Sequence, residues 1–264
     1  MNYPEYFKLA RDKWKQENPE APSLKLDNFY DDPTRPIPVN TFGLDYSVAV
    51  NSISEKVFNF FVSNKKEGIM LQYPDIWKSV GEELETISSY IAPYLEDTMF
   101  GCYLYVDKIY IYRTTKCERD SSYIWHYDNN PNEIVKNIVY LNDVNEYNSP
   151  FEYLSKPDGK GCMFNSSRQG PQEWRNAPNN SRVTKEVEEL KALGYTPKKV
   201  TGAKGTTFAF NNNACHRANP IIEGYRDVVN IRVKPTISRI DYINPKYTSS
   251  FEKTGAVNPN PELI

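Results

Sequence analysis

Histidine is scarce in this chain of 264 residues, which contains only His126 and His216. Any site built on imidazole must therefore use one or both of them. Cysteine is also rare, and the four cysteines show no Cys-x-x-Cys spacing, which argues against a structural zinc site or a redox pair and favours reduced thiols. Charge of one sign is not in excess, with 32 Lys and Arg against 34 Asp and Glu, so a nucleic-acid or acidic-membrane partner is not expected.

Long apolar runs and internal repeats are absent as well. No apolar run approaches the roughly 18 residues that a membrane-spanning helix needs. The first eight residues lack the basic and then apolar layout of a secretory signal, so we expect a cytoplasmic protein. The length predicts a single domain over residues 1–264 rather than two small ones.

The order of predicted elements indicates an α+β protein that is mainly β. Apolar residues at helical spacing predict helices at 4–17, 54–65 and 75–95. Short runs of β-branched and aromatic residues predict strands from residue 102 onward, with a hairpin or a bulge at Asp107 and Lys108. This order suits a double-stranded β-helix, also called a jelly roll or cupin-like fold, with a helical N-terminal region packed on the sheet.

The predicted core of the double-stranded β-helix spans residues 100–236, between a helical region at 1–99 and a tail at 237–264. The strand pattern stops at residues 166–195, which predicts an insertion that ends in a short helix near 184–193. Insertions of this length in compact domains are usually functional or disordered.

The stretch from Trp125 to Asp128 carries the first sign of chemistry. Side chains two apart in a strand project to the same face, so His126 and Asp128 can converge while Tyr127 turns away. A His beside an Asp is often only a hydrogen-bonded pair that fixes a loop. His216, which follows a second strand-like run, would complete the two-His, one-carboxylate triad that non-haem Fe(II) oxygenases use.

Arg226 lies ten residues after His216, at the start of an alternating β-branched run. An arginine on the strand after the second histidine can direct its planar fork at a dicarboxylate bound to the metal.

The order His-x-Asp, a long gap, His and then Arg resembles the Fe(II)/2-oxoglutarate-dependent dioxygenases, most of all their phytanoyl-CoA dioxygenase-like branch, over roughly residues 100–236. The resemblance implies that His126, Asp128 and His216 bind Fe(II) and that Arg226 holds the distal carboxylate of 2-oxoglutarate. It also implies a hydroxylase that consumes O₂ and 2-oxoglutarate and releases succinate and CO₂. Related halogenases have a small residue in place of Asp128, so we expect oxygen insertion or desaturation.

A bound dicarboxylate needs donors besides one arginine. The strand before His126 supplies Tyr112 and Arg113, which point to opposite faces, and we expect one of them to reach the cosubstrate together with Asn137. Asn137 is a polar residue inside an otherwise apolar strand, and a solvent-facing position is the simpler explanation for it.

The insertion supplies the candidates for substrate binding. Arg168, Arg175 and Arg182 are spaced seven apart around Trp174 in a stretch without strand pattern, directly before the short helix and the second ligand strand. If the insertion closes over the site as a lid, these side chains would bind a small-molecule substrate that is anionic or polyhydroxylated. A solvated surface loop is the alternative.

Two other functions fit parts of the sequence. A cupin-like metalloenzyme that does not use 2-oxoglutarate would share the fold, although such sites commonly recruit further histidines and this chain has none to spare. A non-catalytic jelly-roll module could stack its Tyr and Trp side chains on sugar rings, and it would not need an imidazole pair.

Overall fold

The structure is a computed structural model that describes residues 3–21, 32–64, 76–116, 121–165, 175–176, 181–244 and 246–250. Four α-helices lie in these ranges, and they are α1 Tyr3–Glu17, α2 Leu44–Asn64, α3 Ile76–Leu95 and α4 Val187–Ala192. In the part of the chain that the structure covers, no helix combines the length and apolar character needed to cross a membrane.

Eleven strands are described. They are β1 Thr34–Pro36, β2 Tyr103–Thr114, β3 Val135–Tyr140, β4 Phe151–Ser155, β5 Phe164–Asn165, β6 Arg175–Asn176, β7 Thr196–Val200, β8 Thr207–Asn211, β9 His216–Ala218, β10 Arg226–Thr236 and β11 Ser249–Ser250. The major sheet has six strands in the order β1-β8-β3-β10-β2-β11, and the minor sheet has three in the order β7-β4-β9. Neighbouring strands are antiparallel in both sheets except for β11, which runs parallel to β2.

The major sheet has two faces with different partners, because side chains alternate along each strand. One face packs against α1, α2 and α3 through a large apolar cluster that includes Ile111, Val139 and Val229. The other face turns toward the minor sheet and is largely aromatic. Its Tyr112, Phe208 and Phe210 share a buried cluster with Phe151 of β4 in the minor sheet. A third cluster, which includes Val187 and Leu190 of α4, covers Trp125 and Tyr127. This architecture confirms the predicted double-stranded β-helix with helices packed on the sheet.

One helix boundary differs clearly from the prediction. The second helix begins at Leu44 rather than near residue 54, because Tyr46, Ala49, Val50 and Ile53 continue its buried stripe toward the N-terminus. The polar residues between these positions, on the exposed side, weakened the helical pattern. The third helix was predicted within one residue of its observed start.

A bulge, rather than a hairpin, lies at Asp107. Strand β2 is continuous, and its pairing with β10 shifts register between Arg232 and Val233, so Asp107 is an extra residue on β2. The bulge turns the Asp107 carboxylate inward, where it accepts a 2.8 Å hydrogen bond from Arg232 Nε and lies 3.1 Å from Lys234 Nζ. The buried cluster of Asp107, Arg232 and Lys234 therefore depends on the extra residue in β2.

Arg113 and Asp227 face each other across β2 and β10 on the helix side of the major sheet. Arg113 donates to both carboxylate oxygens of Asp227, at 2.7 and 2.6 Å, and its guanidinium lies 4.1 Å from the centre of the Tyr225 ring. Both side chains are buried. The pair joins the two longest strands beneath α2.

We predict that Arg113→Ala lowers the free energy of unfolding by about 3–5 kcal/mol, because it leaves a buried carboxylate without its cation. Urea unfolding followed by circular dichroism measures this. Lys191→Ala is the control, since it removes an exposed pair with Glu188 and should cost less than about 1 kcal/mol. Equal effects of the two variants would contradict the structural role of Arg113.

Candidate metal centre

Backbone pairing brings the two histidines together. His126 N–H donates to the carbonyl of His216 at 2.9 Å, and His216 N–H donates back to the carbonyl of His126 at 2.8 Å. Residues that pair directly across antiparallel strands present their side chains on the same face. His126 therefore extends the minor sheet beyond β9, and both imidazoles project into the space between the sheets.

The Asp128 carboxylate lies between the two imidazoles. Its Oδ1 is 3.9 Å from His126 Nε2 and its Oδ2 is 3.6 Å from His216 Nε2. One atom from each of the three side chains falls within 4.8 Å of the others, and in the described part of the chain this is the one group of His, Cys, Asp or Glu so arranged. The backbone of Asp128 is held by a 2.7 Å hydrogen bond to the carbonyl of Asn212.

The imidazoles are oriented for metal binding by their second nitrogens. His126 Nδ1 lies 2.7 Å from the Ile124 carbonyl, and His216 Nδ1 lies 2.8 Å from the Ala214 carbonyl. A carbonyl can only accept, so each Nδ1 carries the proton and each Nε2 presents its lone pair toward Asp128. This donor set fits a divalent transition metal with one face of its coordination sphere open.

The protonation states agree with that assignment. Burial, with a smaller effect of the neighbouring imidazole, lowers the pKa of His126 to about 3. Burial also lowers the pKa of His216. Although burial alone would raise the pKa of Asp128, the Lys136 ammonium and the two neighbouring histidines together outweigh it and hold the pKa of that carboxyl below its usual range. At neutral pH the three side chains are thus two neutral imidazoles and one carboxylate.

A cavity of about 240 Å³ opens beside the three side chains, and Arg226 lines it together with Tyr112, Thr114 and Asn230. The Arg226 side chain is buried. Nη1 donates to the carbonyl of Ser149 and Nη2 contacts Thr114 Oγ1 at 3.4 Å. Among the described residues nothing accepts a hydrogen bond from Arg226 Nε, and Asn230 Oδ1 has no partner either. An anionic group in this end of the cavity would satisfy Arg226, so the residues fit a dicarboxylate.

The predicted cosubstrate contacts separate into two groups. Tyr112 lines the cavity, as Arg226 does. Arg113 lies on the opposite face of β2, in its pair with Asp227. Asn137 also faces the helix side, where its Nδ2 donates to the Ile231 carbonyl at 3.2 Å. The alternation of β3 directs Lys136 and Ile138 into the cavity instead, so the structure does not bring Arg113 or Asn137 to the metal centre.

The predicted substrate contacts lie largely outside the described residues. Arg168 and Trp174 are not among them, and Arg175 is described only as part of β6, which pairs with β5. The third arginine of the same insertion does reach the site. Arg182 pairs with His126 across a β-bridge, and its side chain lines the cavity.

Lys136 is a cavity residue that the sequence did not single out. Lys136 Nζ donates to Asp128 Oδ2 at 2.8 Å. Lys136 and Asn137 are both polar residues in an otherwise apolar strand. Their alternation shows that they point to opposite faces of the sheet, but it does not show which face lines the cavity. Arg182 lies in a polar stretch whose pairing with His126 has no local pattern.

No protein-family model and no curated protein sequence matches the chain. Several solved structures do match the chain in fold. HygX from Streptomyces hygroscopicus with nickel and 2-oxoglutarate bound aligns with a TM-score of 0.50 and 19% identity, over 81% of this chain and 88% of that one. EctD from S. alaskensis with 2-oxoglutarate and 5-hydroxyectoine aligns with a TM-score of 0.55 and 12% identity, over 88% and 89%.

The epimerase SnoN, in complex with Fe3+, alpha ketoglutarate and nogalamycin RO, aligns with a TM-score of 0.51 and 13% identity, over 80% of this chain and 84% of SnoN. At such identities the likeness establishes the fold. The chain is a double-stranded β-helix protein whose inter-sheet cavity contains a two-His, one-carboxylate cluster.

We predict that His126→Ala or His216→Ala weakens Co(II) binding by more than about a hundredfold, since loss of even an outer-shell partner costs 10–100-fold. Thermal unfolding should remain cooperative, because the backbone pairing of β9 with β4 and the large apolar cluster on the helix side do not depend on the imidazoles. Calorimetric titration of the reduced protein with Co(II) is the measurement, with the exposed Glu82→Ala as control. Undiminished binding in either histidine variant would exclude this site.

Proposed function

We propose that the protein is an Fe(II)- and 2-oxoglutarate-dependent oxygenase that hydroxylates a small molecule. The observation that carries this proposal is the presence of the His126, Asp128 and His216 cluster and the Arg226 guanidinium in one cavity. A metal triad alone would suit many cupin-like enzymes. A buried arginine with unused hydrogen-bonding capacity in the same cavity favours an anionic second ligand.

When bound, Fe(II) and 2-oxoglutarate together would supply the oxidising chemistry, in which O₂ is consumed and succinate and CO₂ are released. The residues of this chain would contribute binding and orientation. His126, Asp128 and His216 would hold the metal on one side only, and Arg226 would fix the far carboxylate of the cosubstrate. Tyr112 and Thr114 offer hydroxyl groups at the same end of the cavity.

The structural neighbours support this choice of ligands. HygX was solved with nickel and 2-oxoglutarate, EctD with 2-oxoglutarate and 5-hydroxyectoine, and SnoN with Fe3+ and alpha ketoglutarate. EctD and SnoN were thus both solved with a small organic molecule besides 2-oxoglutarate. A small-molecule substrate for this chain is consistent with the size of its cavity.

We further propose that the substrate is anionic. Four cationic side chains line the cavity against the single carboxylate of Asp128, and they are Lys136, Arg182, Arg217 and Arg226. Arg217 is neutralised by Glu152, with its Nε 2.5 Å from Oε2. Arg182, opposite His126, is placed by its β-bridge to present its side chain next to the metal ligands. A polyhydroxylated substrate, and roles for Arg168, Trp174 and Arg175, also remain predictions.

The direct test of the proposed function is a screen by mass spectrometry. The Fe(II)-loaded protein is supplied with O₂, 2-oxoglutarate and a panel of small carboxylates, phosphates and neutral analogues. A mass gain of one oxygen in a panel compound, matched by an equal amount of succinate, would support the proposal. A protein that binds Fe(II) but never converts 2-oxoglutarate to succinate would exclude it.

We predict that Arg226→Ala raises the concentration of 2-oxoglutarate needed for half-maximal succinate release by about ten- to a thousandfold, because it removes a charge-assisted pair. Steady-state assays across a range of 2-oxoglutarate concentrations measure the change. Arg11→Ala, on α1, serves as the control arginine and should behave as the wild type. An unchanged requirement in Arg226→Ala would reassign the cosubstrate contact.

A second prediction concerns Arg182. With a hydroxylated compound in hand, Arg182→Gln should raise its KM by about ten- to a hundredfold, as expected for one lost charge-assisted contact. Succinate release without substrate should stay near the wild-type rate, since Arg226 is intact. Lys185→Gln, an exposed lysine nearby, is the control. Parallel loss of both activities would mean that Arg182 supports the metal centre rather than the substrate.

A further inference from the structure

Lys136 occupies a defined place in the wall of the cavity. It lies on β3 between Phe210 of β8 and Arg232 of β10, in register with both. Its ammonium is 5.8 Å from the centre of the Phe210 ring. Because the side chain is only 15% exposed, the ammonium is held largely within the cavity wall and water screens its charge weakly.

The contact of Lys136 is with a metal ligand rather than with a structural acid. Its Nζ donates to Asp128 Oδ2 at 2.8 Å, and Oδ1 of the same carboxylate faces His126. A carboxylate can bind a metal ion through one oxygen or through both. An ammonium that occupies one oxygen favours coordination through a single oxygen.

The number of coordinating oxygens matters for the function proposed above. Two imidazoles and a one-oxygen carboxylate leave half of an octahedral coordination sphere open. A two-oxygen carboxylate would take one more position and compete with a dicarboxylate that needs two. The contact between Lys136 and Asp128 therefore bears directly on cosubstrate binding.

We propose that Lys136 is a positioning residue that holds one oxygen of Asp128, so that this ligand binds the metal through a single oxygen and leaves room for the cosubstrate. This inference rests on the proposed function. It assigns to Lys136 an effect on coordination that exists before any cosubstrate is added, which a direct contact between Lys136 and the cosubstrate would not produce.

The charge of Lys136 determines the direction in which metal affinity should change when the side chain is replaced. A cation beside the site repels a divalent ion, so its removal should leave metal affinity unchanged or increase it. Removal also leaves the buried Asp128 without a cation in the metal-free protein, which should lower the thermal stability of that form. Added metal should then raise the melting temperature more in Lys136→Met than in the wild type.

The experiment compares wild type, Lys136→Met and Lys136→Arg, each loaded with Co(II) without O₂. The visible absorption of Co(II) reports coordination number, and calorimetry gives the affinities for Co(II) and for 2-oxoglutarate. For Lys136→Met we expect an altered Co(II) spectrum before 2-oxoglutarate is added, Co(II) affinity that is not reduced, and 2-oxoglutarate affinity reduced by about tenfold or more. Lys136→Arg keeps a donor and should restore the wild-type spectrum.

Arg226→Gln is the matched control, because it should weaken 2-oxoglutarate binding without changing the Co(II) spectrum. A wild-type spectrum in Lys136→Met overturns the positioning role, whatever happens to 2-oxoglutarate affinity. Reduced Co(II) affinity that Lys136→Arg does not restore overturns it in favour of a purely structural role. If Lys136→Met does not fold, Lys136→Gln is judged by the same criteria.

Failure of the proposed function gives a different result. In that case wild-type protein would bind no Co(II) that depends on His126 and His216, or it would bind Co(II) but not 2-oxoglutarate. An altered spectrum in Lys136→Met without any 2-oxoglutarate binding would keep the positioning of Asp128 and exclude the cosubstrate.

Discussion

The reciprocal backbone hydrogen bonds between His126 and His216 are the constraint on which the candidate centre depends. They join two segments that are far apart in the chain and set both imidazoles on one face. The carbonyls of Ile124 and Ala214 then fix the ring tautomers, so that each Nε2 is available. Since the sheet holds these groups independently of any ligand, the metal would enter a site that is already formed.

Alternate residues of strand β10 point to the cavity and to the helix side of the major sheet. Arg226 and Asp227 are adjacent, yet Arg226 faces the cavity while Asp227 pairs with Arg113 beneath the helices. The same alternation directs Lys136 toward Asp128 and Asn137 toward Ile231.

The sequence predicted the fold class because alternating strands, helical stripes and turn residues are local patterns. The two histidines and Arg226 were selected because imidazole is scarce and the spacing matched a known order. Facing was harder. Whether Lys136 or Asn137 meets the cavity depends on strand register, and a shift of one residue reverses the answer. Arg182 was singled out with the other arginines of the insertion, but its position beside His126 could not be predicted, since the bridge is a long-range contact within an irregular segment.

The central claim is that one cavity binds a metal ion and 2-oxoglutarate together, and anaerobic calorimetric titration with 2-oxoglutarate tests it most directly. The account predicts that Fe(II)-loaded protein binds 2-oxoglutarate at least about tenfold more tightly than metal-free protein, because the two ligands share one site. Equal affinity with and without Fe(II), or no binding in either form, would contradict it.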